Sequence, residues 1–407
     1  MTNRKAAITV VQRLQEAGYE ALLAGGCVRD MLLGRQAKDY DVATSARPQE
    51  VTALFRRTIQ VGVKFGVVIV LMKHRQVEVA TFRSDADYAD GRRPTSVRFT
   101  NAEEDAGRRD FTINGMFFDP VRDQVIDYVG GRQDLKDGII RTIGDANERF
   151  SEDYLRMLRA VRFSTRLGFV IDDGTLGAIK THAHRITGIS GERISMELEA
   201  ILTDPSRGRG ARCLVDTGLL GIIFPGFGAP AAETAVGVLS DLRRHVDYPL
   251  ALAGLFAGCE TDFAMERCRL LKLSRNHTKH LRFLMDNRGR LVNSNMSLAE
   301  LKLVLGESYF RDLLELERAI QQARGEREAL DRLTALRKRV AALGDVELRP
   351  PPLLSGHDLI RLGAAPGPQV GELAEEMYVA QLDHLLENRE QAEHWVRQWL
   401  DRHKDVQ

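Results

Sequence analysis

Cysteine is scarce in this chain. The four present, Cys27, Cys213, Cys259 and Cys268, are scattered, and no two form a Cys-x-x-Cys pair. That favours reduced thiols in a cytoplasmic protein, with no disulfide-linked partner, over a disulfide scaffold or a thiolate zinc site. No apolar run approaches the roughly 20 residues that span a bilayer. Met1-Thr2-Asn3-Arg4-Lys5 leads into no signal-peptide core, so no membrane partner is expected. An excess of charge is missing too, since 58 Lys and Arg against 57 Asp and Glu leave +1. That balance does not exclude nucleic acid, because holding one RNA end takes a local basic surface rather than a basic average. Internal repeats and low-complexity tracts are absent. At 407 residues, 43% of them hydrophobic, the chain is globular and long enough for several domains with substantial cores.

One stretch, Leu22 to Thr44, concentrates the chemistry. Ala21 to Ala24 is a short apolar strand by pattern, Gly25 and Gly26 break it, and Val28 to Leu33 has helical character. A strand ending in glycines at a helix start presents backbone N–H groups and a helix dipole, which together suit a phosphate. Lys38-Asp39-Tyr40-Asp41-Val42 then reads as a strand. On a strand, residues two apart point the same way, so Asp39 and Asp41 converge. Two carboxylates on one face need a cation, and Mg²⁺ takes carboxylate and phosphate oxygen together. A phosphate cradle followed by a metal-binding carboxylate pair is the minimum equipment of a nucleotidyl transferase.

Gly25-Gly26-Cys27-Val28-Arg29-Asp30 with Asp39-Tyr40-Asp41 resembles the head motif of the class II tRNA nucleotidyltransferase and bacterial poly(A) polymerase superfamily. The resemblance implies an α+β nucleotidyltransferase head of the polymerase-β-like type, followed by an all-α neck, body and tail. The boundaries it suggests are 1–143, 144–205, 206–345 and 346–407. It implies addition of CCA, or of its terminal A, to the 3′ end of tRNA from CTP and ATP, with release of pyrophosphate and a two-metal-ion mechanism. Rival readings are a poly(A) polymerase and, from another class, a non-catalytic RNA-binding protein. The unbroken Asp39/Asp41 pair argues against the second. Poly(A) relatives often carry long basic tails, and the ending Asp401 to Gln407 is not one.

Further residues fit the same frame. Val77-Glu78-Val79 places one carboxylate among apolar neighbours, where it is costly unless it pairs with a cation or lies at an edge. A neighbouring strand would bring Glu78 to Asp39 and Asp41, and the resemblance, through its Glu-Val-x-Thr-x-Arg strand, supports that. Ser84 to Thr100 is polar and reads as a long loop, a length that in compact domains is usually functional. It resembles the family's flexible loop, which helps the change from adding C to adding A. Asp105 to Met116, with Arg108-Arg109-Asp110-Phe111-Thr112-Ile113-Asn114-Gly115 within it, reads as a helix start whose two arginines either reach a triphosphate or ribose or form a salt bridge in a surface turn. It departs from the family motif at Gly115, where alanine is usual. Phe150 to Arg166 reads as one helix capped by Ser151. Arg156, Arg159, Arg162 and Arg166 form a stripe on it without interleaved acids, which favours a polyanion partner. The resemblance implies that Asp153 and Arg156 read the base along its pairing edge, and that Arg159 and Arg162 touch phosphates or ribose. The chemistry suits both C and A, since carboxylate accepts from the exocyclic amine and arginine donates to a ring acceptor. Gly25, Gly26, Arg29, Arg109 and Asp110 complete the expected nucleotide site. Ile189 to Leu198 is expected to position the base-reading helix. Beyond residue 205 the pattern is one of successive helices, and His357-Asp358 marks a helix start rather than a hydrolase pair.

Overall fold

The structure, a computed structural model, describes residues 1–60, 65–88, 94–293, 296–344 and 347–403, with the backbone alone at 85–88 and 94–96. They pack as two units, Met1–Ala232 with Arg267–Lys272, and Glu233–Glu266 with Leu273–Gln407.

The first unit begins with α1 (Asn3–Glu16), capped by the Thr2 hydroxyl, which accepts from the Lys5 N–H. Ala6, Ala7, Val10, Val11 and Leu14 recur at helical spacing and are buried. The strands β1 (Ala21–Ala24), β2 (Asp41–Thr44), β3 (Thr58–Ile59), β4 (Val67–Met72), β5 (Arg75–Thr81), β8 (Phe117–Asp119) and β9 (Gln124–Ile126) form one mixed sheet in the order β3-β4-β5-β2-β1-β8-β9. All four residues of β1 are buried, as a central strand covered on both faces requires. Between β1 and β2 runs α2 (Gly26–Leu32); α3 (Pro48–Leu54) follows β2 with its proline in the first turn.

Two sequence expectations are corrected here. The strand expected over Lys38 to Val42 starts only at Asp41, whose rung is Ala24. Lys38 and Asp39 have no ladder partner and lack the apolar alternation of Val42 to Thr44, so Asp39 lies in the lead-in and is exposed. The long loop expected over Ser84 to Thr100 is largely a two-stranded ribbon, β6 (Arg83–Tyr88) against β7 (Pro94–Phe99), with Arg83 opposite Phe99. It forms its own sheet apart from the seven-stranded one. Residues 89–93, which include Asp90, Gly91, Arg92 and Arg93, lie outside the described residues.

A third correction concerns the helix expected to read the base. After α4 (Ala102–Gly107), α5 (Gly131–Asp137) and the short β10 (Ile139–Ile140), the expected single helix is two: α6 (Ala146–Glu152) and α7 (Leu155–Leu167). The N-cap of α6 is Asp145, whose carboxylate accepts from the amides of Asn147 and Glu148. Ser151 sits inside α6 and donates to the Glu148 carbonyl, so it caps nothing. Asp153, at φ −155° and ψ 102°, is the break. Then come β11 (Val170–Ile171), paired parallel to β10, and the helices α8 (Asp173–His182), α9 (Gly191–Leu202), α10 (Arg207–Asp216) and α11 (Leu219–Ile223).

The second unit is helical. Arg275–Asp286 and Phe310–Arg324 are joined through His280, whose ring stacks on Tyr309 with centroids 4.0 Å apart. Its nitrogens lie 3.4 and 3.2 Å from carboxylate oxygens of Asp247 and Asp312. The last three helices, Gly356–Arg361, Pro368–Leu382 and Arg389–Arg402, share a core of Leu359, Leu373, Met377, Val396 and Trp399. His357-Asp358 does open a helix, with Ser355 and Asp358 capping each other. No helix among the described residues is long and apolar enough to cross a membrane.

Candidate active site

The turn from β1 into α2 sets the first wall of the site. Gly25 has φ +73°, a conformation that residues with a side chain rarely adopt, while a Cβ there would meet only the movable end of Arg109, Nη1 at 2.9 Å. Its N–H donates to the Met116 carbonyl, so it is not available to a phosphate. Gly26 lines the cleft directly. With seven residues in α2, anion attraction rests on side chains more than on the helix end.

Gly25, Gly26, Arg29, Asp41, Arg109, Asp110, Asp153, Arg156, Arg159 and Arg162 all line a single cleft of about 490 Å³. Of the expected site residues, only Asp39 and Glu78 are not among its lining. Both lie beside Asp41. Val42 pairs with Val79 in parallel register, so Asp41 and Glu78 are the next residues outward on β2 and β5. Asp41 opens onto solvent on one side and is walled by protein on the others. That partial desolvation raises its carboxyl from the usual range to about 6, with Glu78 and Asp39 adding to the rise and Arg109 opposing it. A carboxylate reluctant to ionise, with two others near it, would gain from a cation, and carboxylate oxygen is the donor a hard divalent ion takes, but the three do not converge on one point as Asp247, His280 and Asp312 do.

Asp110 behaves in the opposite way. Burial would raise its carboxyl, but the Arg159 charge and hydrogen bonds from Asn114 and Arg159 outweigh burial and hold it at about 2. Arg159 Nε and Nη2 reach Asp110 Oδ2 at 2.9 and 2.6 Å. Arg29, only 3% exposed, is pinned as firmly: its guanidinium donates to Asp30 Oδ1 and, at 2.6 Å, to Asn114 Oδ1.

The arginine stripe is not the unpaired run that its own helix suggests. Arg156 pairs with Glu152, Arg159 with Asp110, Arg162 with Glu197 at 2.6 Å, and Arg166 approaches Asp30 at 3.8 Å. The acids come from other elements, so the repulsion argument for a polyanion partner loses most of its force. What remains is geometry. Phe163 stands at the centre, with the guanidiniums of Arg29, Arg159 and Arg162 at 5.3, 5.5 and 4.3 Å from its ring centroid.

The expected base-edge pair sits on either side of the α6–α7 break. Asp153 Oδ1 accepts the Leu155 N–H at 3.0 Å, and Oδ2 accepts from Arg193 Nη2 at 2.7 Å. Arg156 uses only Nη1, donating to the Arg149 carbonyl and Glu152. Among the described residues its Nε and Nη2 have no partner, which leaves donors toward the cleft. Arg108 and Arg109 follow the end of α4 rather than opening a helix, and together they clamp the buried Asp105.

Sequence reasoning missed several contributors. Asn114 ties Arg29 to Asp110, Phe163 floors the stripe, Glu152 and Arg193 hold the base-edge pair, and Glu197 anchors Arg162. Arg162-Phe163 adjacency and the four-residue spacings Glu152–Arg156 and Asp110–Asn114 were local signals; Asn114 to Arg29, Arg193 to Asp153 and Glu197 to Arg162 span tens of residues.

Comparison with known proteins places the chain among relatives. Residues 21–141 match the family described as "Poly A polymerase head domain", and 168–229 match "Probable RNA and SrmB- binding site of polymerase A". A CCA-adding enzyme of Geobacillus stearothermophilus is 48% identical over 214 residues; that alignment spans 52% of this chain and 53% of the relative. One from Streptococcus agalactiae serotype V is 32% identical over 404 residues, covering 97% of this chain and 96% of the relative. The crystal structure of Bacillus stearothermophilus CCA-adding enzyme in complex with CTP superposes with a TM-score of 0.78 at 30% identity, over 100% of both chains.

Proposed function

This chain belongs to the family of CCA-adding enzymes, and we propose that it adds C, C and A in turn to the 3′ end of tRNA, from CTP and ATP, releasing pyrophosphate. The observation that carries the reading is one cleft joining the acidic edge at Asp41 to Asp153 and Arg156. Nucleotide choice then needs no nucleic-acid template. Asp153 accepts from the exocyclic amine that C and A share and that U lacks, while the unpartnered Nε and Nη2 of Arg156 donate to a ring acceptor. Arg193 and Glu152 hold these two side chains in place, so the preference is built before the nucleotide arrives.

Arg109, Arg159 and Arg162 supply a cationic wall for the triphosphate, and their own carboxylate partners keep each guanidinium oriented. Arg29 acts at one remove, fixing Asn114 and through it Asp110. Asp39 and Asp41 would hold Mg²⁺, which when bound supplies charge neutralisation for the triphosphate and activation of the terminal RNA hydroxyl in a two-ion arrangement. Glu78, beside Asp41, is the third carboxylate of that edge and a candidate to take up the hydroxyl proton. The functional division we adopt is head 1–143, neck 144–205, body 206–345 and tail 346–407. The four free thiols suit a reducing, cytoplasmic setting.

The test gives the purified chain a tRNA that lacks its last three nucleotides, with CTP alone, ATP alone, or both, and sequences the products. CTP alone should yield CC, and both together CCA and no more. Runs of A, or A added only to a CC end, would overturn the reading in favour of a poly(A) or A-only enzyme. Asp41→Ala should lower incorporation by roughly 10³-fold with tRNA affinity retained; substantial turnover in that variant at saturating Mg²⁺ would remove the metal-site assignment.

A further inference from the structure

A second concavity, of about 890 Å³, lies in the first unit outside the cleft. Its lining includes Arg4, Arg35, Lys38 and Arg75 and no acidic residue. All four cations are exposed. Among the described residues none of them pairs with a carboxylate, whereas Arg109, Arg156, Arg159 and Arg162 in the cleft all do. Four uncompensated like charges around a hollow repel one another, and a polyanion seated among them relieves that. The hollow is also built rather than incidental. Three separate segments meet there: the start of α1, the connection from α2 to β2, and the β4–β5 turn. Asn3 Nδ2 donates to the Lys38 carbonyl at 2.9 Å, and Arg75 Nε to the Met1 carbonyl at 3.2 Å.

Its place relative to the chemistry is specific. Lys38 and Tyr40 line the hollow, Asp39 lies between them in the chain, and Asp41 follows at the start of β2. The connection from α2 to β2 therefore separates the hollow from the acidic edge by only a few residues. Along a stacked strand one nucleotide advances about 3.4 Å, close to the rise of one extended residue. Backbone two or three nucleotides before a 3′ end held at Asp39 and Asp41 would reach the hollow. Tyr40, the one aromatic in the lining, is 8% exposed, so no stacking platform is presented and no base is read.

We propose that this hollow binds the sugar–phosphate backbone of the RNA acceptor strand a few nucleotides before its reacting end, irrespective of sequence. The inference rests on the reading of the substrate as RNA. It assigns Arg4, Arg35 and Arg75 a positioning role outside the catalytic cleft.

The test compares the wild-type chain with the combined variant Arg4→Gln, Arg35→Gln, Arg75→Gln. Binding of a tRNA lacking its last three nucleotides is measured across a salt series, alongside kcat at saturating RNA and KM for CTP. Each lost phosphate contact removes about 0.7–0.9 from the slope of log affinity against log salt. The variant should therefore lose roughly two units of slope and at least tenfold in affinity at low salt, with kcat and the CTP KM unchanged. An acceptor-stem minihelix should show the same loss as the full tRNA. Arg4→Lys, Arg35→Lys, Arg75→Lys should restore the slope, because the contact is with charge. Arg35→Gln alone, in an exposed connection, should lose about one contact's worth and guards against misfolding of the triple variant. An unchanged slope overturns the proposal. So does a raised CTP KM with normal RNA binding, which would make the hollow a site for free phosphates, or a loss seen with full tRNA but not with the minihelix. The slope is independent of which nucleotides are added, so failure of CCA addition leaves this test standing.

Discussion

Asp41 and Asp110 lie in one cleft, each close to an arginine, yet their carboxyls move in opposite directions. Desolvation dominates at Asp41, where other carboxylates crowd in, and its proton is held to about 6. At Asp110 burial is opposed by the Arg159 charge and by donors from Asn114 and Arg159, and the carboxyl stays ionised down to about 2. The difference in surroundings separates the proposed cation site at Asp41 from the ion pair at Asp110. A carboxyl depressed on folding contributes stability above its unfolded value near 4, and loses that contribution as pH falls toward 2. Asp110→Asn should therefore cost on the order of 2 kcal/mol at pH 7, a tenfold change in proton affinity being worth about 1.4 kcal/mol, and markedly less at pH 2.5. Urea melts of both proteins at the two pH values measure the gap; a gap that widened in acid would contradict the assignment. Arg156 carries a different kind of claim. Arg156→Ala should cost roughly 1–3 kcal/mol in discrimination between bases, read as a fall in the preference of CTP and ATP over UTP and GTP in single-nucleotide incorporation. A variant that slowed all four nucleotides equally would remove Arg156 from base reading.

At the scale of elements, the break between α6 and α7 matters more than either helix. It turns Asp153 out of regular helix, so its carboxylate can accept the Leu155 amide at the start of α7 and the Arg193 guanidinium together. Helix α9 supplies that arginine and also Glu197, so its placement fixes two cleft residues at once. The seating of α9 depends on Gly191. A Cβ at that position would lie 1.7 Å from the Leu270 carbonyl oxygen, a backbone atom that cannot rotate away. Gly191→Ala should therefore destabilise the first unit by about 2–3 kcal/mol or more. Thermal melts give the stability loss, and a selectivity assay below the melting temperature should report damage to base choice beyond the loss of folded protein. A variant as stable as the wild type would mean that α9 can shift freely and does not hold the cleft.

At the scale of the whole molecule, the chain divides into two compact units. The cleft belongs entirely to the first. A ligand stabilises the unit that binds it, so CTP should raise a calorimetric transition of the first unit. Trp399, 2% exposed and donating through Nε1 to Glu376 Oε2 at 2.8 Å, sits in the core of the last three helices. Trp399→Ala costs about 3–5 kcal/mol where a core cannot collapse, and should lower a transition that CTP does not move. Differential scanning calorimetry of the variant with and without CTP separates the two. One transition that responded to both changes would show that the units unfold as one.

Some of this protein was determined by sequence alone. The buried β1, the glycine turn after it, the amphipathic α1 and the capping at Ser355 depend on residues within a few positions of one another, and local sterics and periodicity decide them. The arrangement Gly25-Gly26 to Asp41 was legible for the same reason, since a short turn and a short connection leave few ways to join it. Glu78 could be placed beside Asp41 because a strand with one carboxylate among apolar residues had to find a cation or an edge. Tertiary structure decided the rest. Apart from Glu152, four residues before Arg156, the acids that compensate the arginine stripe were out of sight, because Asp110, Glu197 and Asp30 lie 49, 35 and more than a hundred residues from their partners. Asp39 fell outside its strand because no neighbouring chain offered Lys38 or Asp39 a rung. The basic hollow had no sequence signature at all: Arg4, Arg35 and Arg75 stand far apart in the chain, and only packing of three segments brings their charges around one space.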